Sequence, residues 1–158
     1  MRNADNKKTG AVLVQGGGIA GVQASLDLAN AGFRVHLVES TSAIGGMMAH
    51  LDKTFPTGDC ATCIVSPKLV ECARNMNVQI HTLAEVEKLD GDAGNFTATL
   101  KKSPRYIDEK ICNDCGDCTK ACPVEVSDRF NRGLGKRKAV QKYNAQAIPN
   151  KPAILKLG

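Results

Sequence analysis

The sequence contains no tryptophan, and aromatic residues make up only 4% of its 158 residues. Hydrophobic residues account for 42% of the chain, which is enough for a core, and the shortage of aromatics makes that core aliphatic. No apolar run approaches the roughly 18 residues that a membrane-spanning helix needs. We therefore expect one ordinary domain with room for a small insert, and no membrane span.

Blocks of like charge and an export signal are also missing. The formal net charge is +5, but the chain has no long run of basic residues and no basic-aromatic repeat, so nucleic-acid binding is not expected. The polar start, MRNADNKKTG, lacks the apolar region of a secretory signal. Seven cysteines, an odd number, then favour metal or redox chemistry in the cytoplasm over a disulfide framework.

The first stretch of the chain, residues 1–103, has the pattern of an α/β fold. AVLVQ (11–15) and RVHLVE (34–39) read as strands on either side of a helix at 19–31 that ends at Gly32. A strand, turn, helix and strand of this length form a βαβ unit with parallel strands. Further predictions are a long loop at 40–65, a helix at 67–75 starting at Pro67, a strand at 78–82 and a hairpin around DGDAGN.

The composition changes after Pro104. Residues 104–135 are poor in apolar side chains and hold four cysteines, so they are predicted to form a small separate unit. Residues 136–158 are basic and turn-rich, and their last run, AILKLG, resembles the start of a strand. We call residues 136–158 the return segment. Three interpretations of its basic side chains stay open: they face a flavin phosphate, they face a partner subunit, or they form a solvated surface. These side chains are Lys136, Arg137, Lys138 and Lys142.

A glycine-rich turn follows the first strand. Gly16, Gly18 and Gly21 fit G-x-G-x-x-G, in which the glycines allow a tight turn, close approach of a pyrophosphate and close helix–strand packing. The helix N-terminus offers N–H groups to the phosphates, and Glu39 ends the second strand where an acid accepts hydrogen bonds from a ribose. The pattern predicts a dinucleotide site.

FAD and NAD share this fingerprint. Ser40 follows Glu39 and no arginine stands there for a 2′-phosphate, which disfavours NADP. Gly45 and Gly46 resemble the glycine pair that follows the second strand in two-dinucleotide-binding flavoproteins, which favours FAD. The predicted site comprises Gly16, Gly18, Ile19, Ala20, Gly21, Glu39, Ser40, Gly45 and Gly46.

The cysteine run is the most specific pattern in the chain. Its spacing, C-x₂-C-x₂-C-x₃-C-P, is that of bacterial ferredoxins and predicts four ligands of a [4Fe–4S] cluster. These ligands are Cys112, Cys115, Cys118 and Cys122. A zinc site more often uses two separated C-x₂-C pairs. In two-cluster ferredoxins the fourth cysteine ligates the other cluster, which leaves open one cluster or two.

A second cysteine pair, Cys60 and Cys63, stands in GDCATC. It has three open interpretations: ligands of the cluster, a redox disulfide, or inert thiols. The letters CATC match the active pair of thioredoxin reductase, but in that family the pair belongs to a later fold unit. Cys72 lies on a predicted apolar helix face with Leu69, Val70 and Ala73, where core packing is expected.

Over nearly all of its length the chain resembles the A-type subunit of heterodisulfide reductase, a flavin and iron–sulfur subunit of methanogens and anaerobic bacteria. The resemblance is carried by GGGIAG with LDLANAGFRVHLVE, by IGGMMAHLDKTFPTGDCATCIVSPKLV, by GNFTATLKKSPRYIDEKICNDCGDCTKACPVEV and by GLGKRKA with QAIPNK. That family's subunit is much longer, with the remainder of a thioredoxin-reductase-like fold and further clusters.

The resemblance implies a Rossmann-like FAD-binding βαβ unit with a small α+β ferredoxin-like [4Fe–4S] insert. It implies an oxidoreductase subunit in which a flavin exchanges electron pairs and clusters carry single electrons. Its implied partners are other heterodisulfide reductase-type subunits or ferredoxin-like electron carriers. Cys60 and Cys63 fall on a cysteine pair of the family pattern, which favours the ligand or redox interpretation. The alternatives are a non-catalytic iron–sulfur module and a thiol-disulfide oxidoreductase.

Overall fold

The computed structural model describes residues 10–128 and 130–154. Its first part is a parallel sheet of three strands, in the order β1-β2-β3, with β2 in the centre. Ala11 on β1 lies opposite Arg34 on β2, and Val35 on β2 lies opposite Val78 on β3. The predicted parallel βαβ unit and the third strand are therefore confirmed. The strands are β1 (Ala11–Gln15), β2 (Arg34–Glu39) and β3 (Val78–Thr82).

Two helices, α1 (Ile19–Asn30) and α2 (Ala61–Arg74), pack with the sheet around one aliphatic core. The helix α1 ends as predicted, because Gly32 adopts φ +92° and its N–H donates to the Ala29 carbonyl at 3.0 Å. The buried core cluster contains no aromatic side chain, as the composition predicts. It consists of Val22, Leu26, Leu37, Ile44, Val65, Leu69 and Cys72.

The prediction that a helix starts at Pro67 was wrong, since α2 begins at Ala61 and Pro67 lies inside it. Cys60 caps the helix, because its sulfur accepts a hydrogen bond from the Cys63 N–H at 3.2 Å. Burial of Val65 and Leu69 at helical spacing holds both sides of the proline in one helix. The predicted loop at 40–65 accordingly ends at Cys60, and it contains a short 3₁₀ turn, Met47–His50.

The remaining elements are small. The hairpin is confirmed as β4 (Ala84–Asp92) and β5 (Asn95–Lys102). A short helix α3 (Asp117–Ala121) follows, and then two antiparallel pairs. These pairs are β6 (Glu125–Ser127) with β7 (Lys136–Lys138), and β8 (Val140–Gln141) with β9 (Ala153–Ile154).

The return segment pairs with both earlier parts of the chain. Strand β6 belongs to the predicted cysteine unit, residues 104–135, and pairs with β7 of the return segment, residues 136–158. Ile148 forms an antiparallel bridge with Ile44, whose N–H donates to the Ile148 carbonyl at 2.9 Å. The predicted strand in AILKLG starts with β9, and residues 155–158 lie outside the described residues. In the part of the chain described, no helix has the length and apolar character to cross a membrane.

Candidate functional site

The glycine-rich turn joins the end of β1 to the start of α1. Gly16 has φ +100°, and its N–H donates to the Val38 carbonyl of the neighbouring strand at 2.8 Å. A Cβ on Gly21 would lie 1.8 Å from the Gly16 carbonyl oxygen. No side chain fits between these two backbones, so Gly21 holds the helix close to the strand.

The N-terminus of α1 is open towards the outside of this turn. Gly18 is the N-cap residue, no side chain caps the helix, and the first intrahelical bond runs from the Val22 N–H to the Gly18 carbonyl at 2.9 Å. The N–H groups of the first turn, which includes Ile19 and Ala20, have no acceptor within a helix. A Cβ on Gly18 would meet no atom within 4 Å. This combination of open space and outward N–H groups fits a phosphate.

Glu39 is buried, with 8% of its surface exposed, and its carboxylate faces the turn. Oε2 accepts a hydrogen bond from the Gly17 N–H at 2.7 Å, and Oε1 accepts one from the Thr41 N–H at 2.7 Å. The Ser40 hydroxyl donates to Oε1 at 3.3 Å. Each carboxylate oxygen offers about two lone pairs, so the oriented group retains capacity for a ribose hydroxyl.

Gly45 and Gly46 pack directly on the turn. The Gly45 N–H donates to the Gly17 carbonyl at 2.7 Å. A Cβ on Gly46 would lie 2.8 Å from the Gly18 Cα, so only glycine allows this contact. The structure therefore brings together the glycine turn, the strand-end acid and the second glycine pair. These residues fit a dinucleotide.

Sequence reasoning missed Gly17, the middle glycine of GGG. Its N–H binds Glu39, and a Cβ there would lie 2.7 Å from the Ile44 Cγ2. The fingerprint leaves this position unspecified, but the run of three glycines was an available signal.

Cys60 and Cys63 form a disulfide at the N-terminus of α2, with Cα atoms 5.2 Å apart. Both residues are exposed. Cys72, in contrast, is fully buried in the core, as predicted, and burial raises the pKa of its thiol to about 11. Of its predicted face, Leu69 is buried, whereas Val70 is 40% exposed and Ala73 is also exposed.

The four cysteines of the ferredoxin-like run are free thiols on and around α3. Cys115 and Cys118 are exposed, whereas Cys112 and Cys122 are half-buried. Within residues 10–128 and 130–154, no group of three or more His, Cys, Asp or Glu side chains is arranged to hold a metal ion. By the chemistry of the donors, four thiols at this spacing fit an iron–sulfur cluster.

Cys122 is the thiol that contacts the return segment. Backbone hydrogen bonding from Val140 is the main cause that lowers the pKa of this thiol, while burial acts in the opposite direction. Backbone groups of Val124 and Ala139 and the charge of Lys138 lower it further. Such contacts stabilise a thiolate and, around a cluster, influence its reduction potential.

The basic side chains of the return segment pair with acids in or next to the cysteine segment. Lys142 Nζ lies 2.8 Å from Asp114 Oδ2, and this hydrogen bond is the main cause that lowers the pKa of the Asp114 carboxyl. Lys138 pairs with Glu125 at 3.2 Å and Arg137 with Asp128 at 3.7 Å. These three side chains are therefore engaged within the chain, whereas Lys136 is exposed.

A buried arginine, Arg105, was also missed by sequence reasoning. Its guanidinium donates to the Ser42 carbonyl at 2.7 Å and to the Thr82 hydroxyl at 2.9 Å. It also donates to the Lys151 carbonyl at 3.1 Å. Nothing in the local sequence distinguishes Arg105 from a surface arginine beside Pro104.

The fold and the turn define the class of protein. A parallel βαβ unit with this glycine turn and acid is the arrangement typical of dinucleotide-binding folds, and the family model for FAD dependent oxidoreductases matches residues 11–61. Among solved structures, L-proline dehydrogenase from P. horikoshii aligns with a TM-score of 0.49 and 22% identity, over 61% of this chain and 20% of that chain.

Curated relatives specify the family more closely. The chain is 52% identical to an A-type iron-sulfur subunit of CoB–CoM heterodisulfide reductase from Methanopyrus kandleri, over 90% of this chain and 22% of the relative. It is 53% identical to the corresponding A-type subunit of Methanocaldococcus jannaschii, over 87% of this chain and 21% of the relative. The chain thus spans about a fifth of the length of these relatives. Over this segment its sequence matches the A-type subunits of heterodisulfide reductase.

Proposed function

We propose that this chain is an FAD- and [4Fe–4S]-binding part of an electron-transfer oxidoreductase of the heterodisulfide reductase A type. The observation that carries the proposal is the contact of Gly45 and Gly46 with the glycine turn, beside the carboxylate of Glu39. A dinucleotide needs this combination of close backbone approach, free N–H groups and a ribose acceptor. Support for the cluster comes from the cysteine spacing and from relatives named as iron-sulfur subunits.

The residues of the turn divide the binding of FAD between them. The N–H groups at the start of α1, at Gly18, Ile19 and Ala20, would bind the pyrophosphate. Glu39 would accept hydrogen bonds from the ribose, held in place by the N–H groups of Gly17 and Thr41. Ser40 orients the same carboxylate through its hydroxyl.

The cysteine segment would hold the cluster through Cys112, Cys115, Cys118 and Cys122. When bound, FAD exchanges electrons in pairs and a cluster exchanges them singly. The backbone of Val140, which hydrogen-bonds the Cys122 sulfur, would then donate to this ligand sulfur. We further propose that electrons pass to or from other heterodisulfide reductase-type subunits or ferredoxin-like carriers in the cytoplasm.

A thiol-disulfide oxidoreductase is the second candidate, and the exposed Cys60–Cys63 disulfide favours it. Reduction of this bond consumes two electrons and two protons and yields two thiols, with a reduced flavin or a dithiol as the donor. The resulting thiols would equally be available as cluster ligands. A non-catalytic module, in contrast, would bind iron without stoichiometric FAD.

Iron and flavin per chain distinguish the electron-transfer subunit from the non-catalytic module and test whether Cys60 and Cys63 are ligands. The protein is purified anaerobically, reconstituted with iron, sulfide and FAD, and compared with Cys60→Ala/Cys63→Ala and with the matched control Cys72→Ala. We expect about four irons and one FAD per wild-type chain. Iron that is unchanged in the double variant confines the cluster to Cys112–Cys122, whereas lost iron makes the pair ligands. Iron without FAD supports the non-catalytic module, and wild type without iron contradicts the proposal.

A further inference from the structure

Arg105 is a charged side chain that connects three segments of the chain while only 9% exposed. Its partners are the Ser42 carbonyl, the Thr82 hydroxyl, and the carbonyls of Lys151 and Pro152. Its Nε also forms an ion pair with Glu109 at 2.6 Å. The planar guanidinium has five N–H donors in a fixed geometry, so one arginine can serve all of these acceptors.

These contacts depend on the guanidinium rather than on charge alone. A buried acceptor without a donor is costly. Removing Arg105 would take the donor from three buried acceptors, on Ser42, Thr82 and Pro152, and from the part-buried Lys151 carbonyl. A lysine would keep the charge but could reach fewer acceptors, because its donors sit on one nitrogen.

The hydrogen-bond partners of Arg105 lie next to both candidate cofactor sites, the glycine turn and the cysteine segment. On one side, Ser42 lies in the loop between Glu39 and Gly45, so its carbonyl position sets the path of that loop. On the other side, the Lys151 side chain donates to the Cys112 carbonyl. The chain next to Lys151 is held as well, because the Asn150 amide donates to Asp114 Oδ2 at 3.0 Å.

We propose that Arg105 is a positioning residue that couples FAD binding to cluster assembly. When a cluster orders the cysteine segment, the Cys112 carbonyl fixes the position of the Lys151 side chain. Arg105 binds the carbonyls of both Lys151 and Ser42, so it then fixes the loop from Glu39 to Gly46. The inference rests on the proposed function. Coupling between two sites is reciprocal, so the cluster tightens FAD binding by the same factor by which FAD tightens the cluster.

The test measures the Kd for FAD, by flavin fluorescence, in cluster-free and in cluster-loaded protein. For wild type we expect the cluster to lower the Kd by about fivefold or more, the lower end of usual coupling. In Arg105→Met the ratio of the two values falls to about one, and Arg105→Lys restores part of it. Arg34→Met, which alters an exposed arginine at the start of β2, is the matched control and keeps the wild-type ratio.

A second variant separates coupling from folding. Lys151→Met removes the side-chain contact with Cys112 but leaves the Lys151 carbonyl for Arg105, so the fold persists while the ratio falls. A purely structural role of Arg105 would raise both Kd values and leave their ratio unchanged, and that result would overturn the coupling. A wild-type ratio of one would also overturn it while the proposed function stands. Wild type that binds neither FAD nor iron would overturn both.

Discussion

Gly18 and Gly21 belong to the same turn, but an added methyl group would meet different surroundings at each residue. At Gly21 the Cβ would lie 1.8 Å from a backbone oxygen, which cannot move aside as a side chain can. At Gly18 there is no atom within 4 Å, and φ of −71° suits alanine. Gly21 is therefore required by the packing of the helix on the strand. At Gly18 the packing does not require glycine, and we attribute this glycine to the approach of the FAD pyrophosphate.

This difference predicts that alanine at Gly21 mainly lowers stability, whereas alanine at Gly18 mainly weakens FAD binding. Gly21→Ala lowers the free energy of unfolding by about 1–3 kcal/mol, as overpacked sites do. Gly18→Ala lowers it by no more than about 1 kcal/mol, the usual penalty of alanine at an N-cap. Its Kd for FAD rises on the order of tenfold or more, equivalent to about 1.4 kcal/mol, because the methyl group blocks the pyrophosphate. Urea unfolding without FAD and a fluorescence titration measure the two effects.

The pair of variants is its own control, since both add one methyl group to one turn. Wild-type affinity in Gly18→Ala would mean that FAD does not approach this part of the backbone. Wild-type stability in Gly21→Ala would mean that strand and helix can separate without cost.

At the scale of elements, α2 shows how a helix start can be mispredicted. Proline is common in the first turn, but in α2 the cap is provided by the Cys60 sulfur, a weak acceptor. Because proline has no N–H, the Cys63 carbonyl lacks the bond that residue 67 would otherwise donate. The core residues Val65, Leu69 and Cys72 override this local cost.

Replacement of this proline should therefore stabilise the helix. We expect Pro67→Ala to raise the free energy of unfolding by about 1–2 kcal/mol, since a restored hydrogen bond and better propensity outweigh the greater freedom of the unfolded chain. Thermal and urea unfolding measure the change. Glu71→Ala, on the same exposed helix face, serves as the control and should change stability by less than about 0.5 kcal/mol. Destabilisation by Pro67→Ala would show that the helix needs the proline ring.

At the scale of the whole molecule, local patterns and distant contacts differ in how far sequence predicts them. The βαβ unit, the glycine turn with Glu39 and the hairpin depend on residues near each other in sequence, and they were predicted. Arg105 binds Ser42 across 63 residues and Lys151 across 46, and no local pattern encodes such pairs. The same reason left open the partners of Lys138 and Lys142, which are acids of the cysteine segment.

Two histidines in different parts of the fold, His50 and His81, both have lowered pKa values, so both make the stability of the fold fall as the pH falls. Burial, followed by the charge of Arg137, lowers the pKa of His50, while Asp128 opposes this shift. Burial, followed by His36 and Lys102, lowers the pKa of His81. Both have an ordinary value of 6.5, so below that pH the unfolded chain binds more protons than the folded chain. Stability from these groups is present above about pH 6.5 and is lost as the pH falls towards the lowered values.

The melting temperature should therefore fall between pH 7.5 and pH 5.5, a window above the range in which most carboxylates titrate. In His50→Gln/His81→Gln the fall should be clearly smaller, because an amide side chain does not titrate. Scanning calorimetry of both proteins across this window measures the difference, and all other titrating groups are common to the two. Since acidification charges imidazoles at two separate places, each single variant should remove part of the dependence. An equal fall in wild type and double variant would assign it to other groups.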